Sequence, residues 1–398
     1  MTFKTRLSVL LVSTPVLAFV LIGGLMGNSA AARTGEDSFV HLGVFQDVVR
    51  LVMSTYVEEV RVDKVMEGAL RGLAEALDPD SVYLTPAQVR EVESGGARPP
   101  GDLGIELTRQ YYLRIIAARD GSPAAAAGLQ TGDYVRAIDG KSTRDLSVFE
   151  GTRLLRGAPG SKVVLTIIRG NAAEPHEVTL VRDQAVSPPV TAKMLEAGVG
   201  YLRIPAFTAG TADEVKRHTA DLTASGARAL IVDVRRTAEG VIEHGIATAR
   251  LFVKSGTLTS KGVRPDEGQK EARKEPIVAK PGDGIIDLPV QVLISAGTSG
   301  AAEVFAAALD GNKRADLIGE HTIGRAAAQK LVKLPESRGL WLTYARYHTP
   351  AGEPIHGTGL KPDVAVDEPD VEFGAASPTS DPMLEAARAR VAAGNVNK

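Results

Sequence analysis

The sequence predicts an α/β fold: a core of alternating strands and helices with a closing hairpin, joined to a β-rich module and preceded by a helical segment. Three observations predict it. From residue 199 onward, short apolar runs alternate with helix-length amphipathic stretches, the pattern of a buried sheet with helices packed on it. Between residues 101 and 185, short alternating runs are separated by Gly132-Asp133 and Asp139-Gly140 turn signals. Between residues 38 and 76, apolar positions recur at helical spacing.

The bulk numbers bound the function. The chain has 398 residues, 44% hydrophobic and 24% charged, enough for two or three ordinary globular domains. A formal net charge of −2 offers no basic field for a nucleic-acid partner. With no cysteine, disulfides, thiol nucleophiles, zinc–cysteine sites and lipid attachment through an N-terminal cysteine drop out. No two of the seven histidines show the i, i+4 spacing of a helical metal site. No metal and no cofactor is expected.

The N-terminus carries an address. Lys4 and Arg6 precede an uncharged apolar run from Leu7 to Gly27, long enough to span a bilayer at roughly 20 residues. Ser29-Ala30-Ala31-Ala32 supplies small residues for cleavage, and Pro15, Gly23 and Gly24 weaken a permanent helix. Residues 1–33 are therefore either a secretory signal or a retained membrane anchor. Both place the remainder outside the cytoplasm, periplasmic or secreted, with a membrane contact only where the segment is uncleaved.

A helical region over 34–95 follows. Helices are expected over 38–57 and 65–76, with Pro79 ending the second, and a short one over 86–93. Residues 94–100 read as a linker. The β-rich module spans 96–185, with strands at 103–107, 112–117, 134–138, 162–169 and 176–182 and a helix over 146–155. This stretch resembles a PDZ domain through Ser122-Pro123-Ala124, Ala127-Gly128-Leu129, Gly132-Asp133 and Ile138-Asp139-Gly140. The resemblance implies binding of peptide C-termini by strand addition at a sheet edge. The carboxylate would sit on backbone N–H groups of the loop at Gly101, Leu103, Gly104 and Ile105. The groove would run between Ile105–Leu107 and the helix face carrying Val148, Thr152 and Leu155. The same apolar residues are equally compatible with ordinary core positions.

In the core, 186–372, strands are expected at 199–204, 229–235, 290–295 and 315–319, helices at 211–225, 241–253 and 300–310, and a hairpin at 330–334 and 340–347. Residues 261–285 are charged and contain Gly and Pro, and read as a surface excursion. Residues 368–380 read as a flexible tail, and a short helix starts at Asp381; the tail and helix make up 373–398.

The order of these parts resembles the carboxyl-terminal processing, or tail-specific, serine peptidases. The resemblance is carried by Leu77-Asp78-Pro79-Asp80-Ser81 and by Gly200-Tyr201-Leu202-Arg203-Ile204. It continues through Leu230-Ile231-Val232-Asp233-Val234-Arg235, Gly297 to Val304, Leu317-Ile318-Gly319-Glu320 and Tyr347-His348-Thr349-Pro350-Ala351-Gly352. Gly357-Thr358-Gly359-Leu360-Lys361-Pro362-Asp363 closes it. The family uses a serine nucleophile on a strand-to-helix elbow and a lysine base. Burial eases the loss of a lysine's charge and lets it take the serine proton.

This chain departs from that pattern in three places. Ungapped alignment of Gly297-Thr298 and Glu303-Val304 puts Gly300, which has no nucleophilic atom, at the serine position. The family pattern Phe-Gly-Lys-Gly-(Ser/Thr)-Val-Gln meets Ile323-Gly324-Arg325-Ala326-Ala327-Ala328-Gln329, so Arg325 holds the base position. A guanidinium stays protonated and cannot act as that base. The oxyanion-like loop carries Glu239 before Gly240. Its carboxylate either points inward and repels an oxyanion, or points outward as a solvated acid at a helix N-terminus; the outward reading costs less.

The fallback nucleophile is Ser299, with Lys330 as base. One residue of shift turns a helical side chain by about 100°, away from the family direction, and Lys330 reads as a solvated strand lysine beside Lys333. Arg325 itself reads as solvated, with carboxylate binding as the alternative. The sequence therefore points to an exported, catalytically inactive relative that binds unstructured C-terminal tails or a protein partner. Two other readings stay open: an active serine endopeptidase using Ser299, and a non-catalytic assembly component, with the terminal helices as oligomer surfaces.

Overall fold

A computed structural model describes residues 40–94, 99–170, 174–265, 273–369, 371–375 and 378–394. The expected signal or anchor, and most of the linker, lie outside these residues. Among the described residues no helix is long and apolar enough to cross a membrane. The chain divides into two compact units at Leu70 and Arg71. The first contains a helix over 40–55, on which Val40, Leu42, Val48 and Leu51 are exposed. It also contains the start of the helix Val62–Glu75.

The second unit is built on a six-stranded sheet. Its order is Thr191–Leu195, Val199–Arg203, Ala229–Asp233, Val290–Ile294, Ala315–Gly319 and Val364–Ala365. The first pair is antiparallel and every later pair is parallel. Helices Thr211–Ala224, Ile242–Ala249 and Ala301–Gly311 supply Val215, Ile246 and Phe305 to one face, against Leu230, Val232 and Val292. Helix Pro382–Ala392 covers the other face, with Met383 and Ala387 against Ile231 and Leu293. The pleat sends successive residues of 230–232 to opposite faces. Because both faces are covered, Val290–Ile294 is buried at all five positions, which is why it reads as an apolar run broken only by the buried Gln291.

A second sheet orders Val82–Leu84, Gly339–His348, Thr257–Val263 and Arg273–Val278, with Ala327–Lys333 pairing Gly339–His348. It corrects the surface excursion expected over 261–285: Thr257–Val263 and Arg273–Val278 pair as antiparallel strands. The second of these is an edge strand, with Arg273, Lys274, Pro276 and Val278 exposed. A one-sided edge strand can carry charges and a proline, so its composition resembles a loop.

The β-rich module has a sheet of Ile105–Gln110, Tyr112–Ala118, Tyr134–Ile138, Lys162–Ile168 and His176–Val181, with Ile105–Gln110 at one edge. Helix Val148–Leu155 closes it, capped by Ser147, whose Oγ accepts from the Glu150 N–H while Glu150 returns to the Ser147 N–H. Gly101–Asp102 pairs with Asp183–Gln184 where the chain enters and leaves. The flexible tail expected over 368–380 is corrected at 371–375, while residues 370, 376 and 377 lie outside the described ones. Phe373 stacks on His176 with ring centroids 4.5 Å apart and lies under Arg169 at 5.0 Å. The Arg169 Nη1–H also donates to Val371 O at 3.3 Å. An aromatic residue in a polar tail has found the one kind of surface it can use.

Candidate functional site

The elbow lies between strand Val290–Ile294 and helix Ala301–Gly311. It is stitched to the loop that follows Asp233. The Ser295 Oγ accepts from the Arg236 N–H at 3.0 Å. The Thr298 Oγ1 donates to Val234 O at 2.9 Å. The Ser299 N–H donates to Thr237 O at 3.0 Å. At Gly297 a β-carbon would sit 2.6 Å from Thr131 Oγ1 and 2.7 Å from Ile116 O. Only glycine lets the elbow pass this close beneath the β-rich module.

Gly300 has φ +59° and ψ −112°, a strained conformation that L side chains rarely adopt. A β-carbon built on it would meet only Arg325 O, at 3.9 Å. The elbow thus opens toward residue 325, and the structure brings these two substituted positions together. Glu303 is the post behind both. Its fully buried carboxylate accepts from the N–H groups of Gly300 at 2.9 Å, Arg325 at 2.8 Å and Gly324 at 2.6 Å, and from the Thr322 hydroxyl at 2.5 Å. Burial still raises its pKa against these four donors. The sequence signal for this role was a glutamate three residues into the helix, at capping spacing.

The guanidinium of Arg325 is not solvated, which corrects that expectation. Its Nε lies 2.9 and 3.1 Å from the two carboxylate oxygens of Asp80, and its Nη2 also bonds to Asp80. Its Nη1–H donates to Leu107 O at 2.8 Å, on the edge strand of the module. Burial opposes the charge, but the ion pair and hydrogen bonds with Asp80, together with Glu106 and Glu303, outweigh it, and the Arg325 pKa is raised. This group cannot accept a proton.

The fallback pair is not assembled. Ser299 is 4% exposed, and its hydroxyl has no hydrogen-bond partner among the described residues. Lys330 pairs across from Leu342 and lies over the Tyr344 ring at 5.2 Å, beside Lys261 at 4.9 Å. Gln329, one residue earlier, points to the opposite face of that strand and lines a cavity with Arg325.

The oxyanion-like loop takes a third form. Glu239 and Gly240 pair with Ala206 and Phe207, ahead of the helix cap at Val241. Glu239 is therefore not the solvated acid of a helix N-terminus. The Arg119 Nη1–H donates to its Oε2 at 3.3 Å, and the Ser187 hydroxyl bonds to its Oε1. Arg119 is held in turn by Asp102 at 2.7 Å. An acid flanked by an arginine and a hydroxyl turns toward them rather than toward water.

In the module, two backbone N–H groups of the carboxylate loop are already engaged. That of Gly101 donates to Gly157 O at 3.0 Å, and that of Gly104 to Asp102 Oδ1 at 3.1 Å. Leu103, Ile105 and Leu107 belong to the module's core, as does Leu155 at 3% exposure. Leu155 is thereby corrected from a groove residue to a core residue. Seven residues of helical period put Leu155 within about 20° of Val148, which also packs on that core. Val148, Phe149, Thr152 and Arg156 keep an open side. These four, with Arg325 and Trp341, line a cavity of about 170 Å³. Among the described residues no group of three His, Cys, Asp or Glu side chains is placed to hold a metal ion.

Comparison with known proteins agrees with this architecture. Residues 198–366 match the family model for peptidase family S41, and residues 114–169 match that for the PDZ domain. A carboxyl-terminal-processing protease of Synechocystis sp. is 33% identical over 322 residues, covering 79% of this chain and 74% of the relative. The carboxy-terminal processing protease CtpA of Bacillus subtilis is 30% identical over 377 residues, covering 92% of this chain and 78% of the relative. The solved structure of a photosystem II D1 C-terminal processing protease superposes with a TM-score of 0.68 at 26% identity, covering 81% of this chain and 92% of that one.

Proposed function

The chain belongs to the carboxyl-terminal processing branch of peptidase family S41, and on that premise we propose that it is an exported, catalytically silent member that holds unstructured C-terminal tails without cutting them. One observation carries the reading. The elbow residue that would bear the nucleophile is Gly300, and it opens onto an arginine fixed by Asp80. Acyl transfer needs an attacking atom and a group to take its proton. Position 300 supplies no such atom, and position 325 supplies a permanent cation. Export is supported by the basic start and apolar run of residues 4–27. Tail binding is supported by the module's edge strand Ile105–Gln110 beside helix Val148–Leu155.

The test is an assay of the full chain in mild detergent against an unfolded reporter polypeptide ending in an apolar tail. Tail binding is followed in parallel by titration. The natural chain should bind and leave the reporter intact, and the Gly300→Ser, Arg325→Lys double variant should gain cutting. Cutting by the natural chain that Ser299→Ala abolishes would overturn the reading in favour of a displaced nucleophile. Absence of binding to any tail would favour an assembly role.

A further inference from the structure

We propose that the cavity beside helix Val148–Leu155 is a subsite for an acidic side chain of the bound tail, with Arg156 as the group that reads it. This rests on the tail-binding reading above and narrows the kind of tail. The cavity holds about 170 Å³, a volume suited to one side chain. Phe149 and Trp341 contribute apolar wall, and three arginines, Arg153, Arg156 and Arg325, line it together with the acids Asp80 and Glu91.

The three cations differ in how well they are answered. Arg325 is neutralised by Asp80. Arg153 meets Glu91 at 3.4 Å. Among the described residues Arg156 meets only Asp102, with 3.9 Å between its Nη2 and that carboxylate. Asp102 is already committed to Arg119 at 2.7 Å and to the Gly104 N–H. The Nε of Arg156 is buried without a hydrogen-bond acceptor. Glu106 also lies in the field of Arg156, with no hydrogen bond or ion pair to that guanidinium among the described residues. A buried N–H donor on a cation is costly to leave unmade. A carboxylate entering the cavity would supply the missing acceptor, and its methylenes would lie against Phe149 and Trp341.

The occupant assigned to the cavity is a side-chain carboxylate, from a peptide glutamate or aspartate. Gly101 and Gly104, two of the N–H groups in the loop that would hold a terminus, are engaged elsewhere. A neutral amide could accept from the Arg156 Nε–H but would bring no charge to the guanidinium, and a charge-assisted bond is the stronger of the two.

The experiment uses the full-length chain and fluorescein-labelled ten-residue peptides of alanine and serine ending in a free leucine. A single glutamate is walked through the positions upstream of the leucine, each peptide having a glutamine twin, and binding is read by fluorescence anisotropy. At one or two adjacent positions the glutamate peptide should bind about tenfold tighter than its twin, the scale of a charge-assisted hydrogen bond. Arg156→Gln should erase that difference between each glutamate peptide and its twin, and Arg156→Lys should keep part of it. Melting curves of both variants establish that they are folded. Equal binding of every pair, or a difference that survives Arg156→Gln, would overturn the subsite while leaving tail binding intact. Failure of every peptide to bind would overturn the tail-binding reading, and the subsite with it.

Discussion

Arg325 and Asp80 lie 245 residues apart in the chain and meet as an ion pair with two Nε–carboxylate distances of 2.9 and 3.1 Å. The pair joins the segment before strand Val82–Leu84 to the position next to the elbow. Asp80 is 6% exposed and Arg325 25%. Removing one partner strands a largely buried charge, and breaking such pairs costs about 3 kcal/mol or more. Asp80→Ala should therefore destabilise the core by about 3 kcal/mol, read from the urea midpoint. Replacing both partners, as Asp80→Ala with Arg325→Leu, should recover much of that loss. A single variant as stable as the natural chain would show the pair to be solvated in solution.

Gly300→Ser alone should not create activity, because Arg325 still offers no base. It should also cost about 1–2 kcal/mol, since a β-carbon enters at φ +59°. The space itself is open, so the cost is one of backbone strain rather than collision. A calorimetric melt with the reporter-cutting assay measures both halves. A serine variant that cuts without any change at residue 325 would show that another base reaches the elbow.

How much of this was legible depends on the range of the interaction. Strands Tyr134–Ile138 and Ala315–Gly319 have the bounds expected from sequence, because apolar positions next to turn residues such as Asp133, Asp139 and Gly319 are a local signal. The edge strand Arg273–Val278 was illegible because its exposed positions carry charges that resemble a loop. The substitutions at 300 and 325 were legible, since both fall inside short motifs. Their surroundings were not. Asp80 could be assigned to Arg325 only once the fold had brought the two together. The direction of Glu239 was set by Arg119, 120 residues earlier. Local energetics favoured an outward acid there, and a distant arginine prevailed.

The segment 371–375 should behave as a strap rather than a tail. Phe373 gains a stacked His176 and an Arg169 cation over its ring, worth together about 1–2 kcal/mol. Phe373→Ala should release the strap with little change in the melting of the core. Hydrogen exchange at the amides of 371–375 and limited proteolysis would both rise. Unchanged protection there would mean that the Arg169 bond to Val371 O is sufficient alone.

Asp310 should make the protein less stable at neutral pH than at mildly acidic pH. Burial, with Asp363 and Asp316 nearby, raises its pKa from 3.8 to about 6. A raised carboxyl pKa means that the folded chain holds this proton more tightly than the unfolded one. Between pH 3.8 and about 6 the folded state carries the extra proton, so stability falls as pH rises through that window. Above it the whole cost of the buried charge is present. The group is only partly buried, so screening reduces that cost to about 1 kcal/mol. Asp310→Asn should therefore gain about 1 kcal/mol at pH 8 and nothing near pH 3.5, when urea unfolding is followed across that range. A gain of equal size at both pH values would mean that the asparagine acts through packing and not through the lost charge.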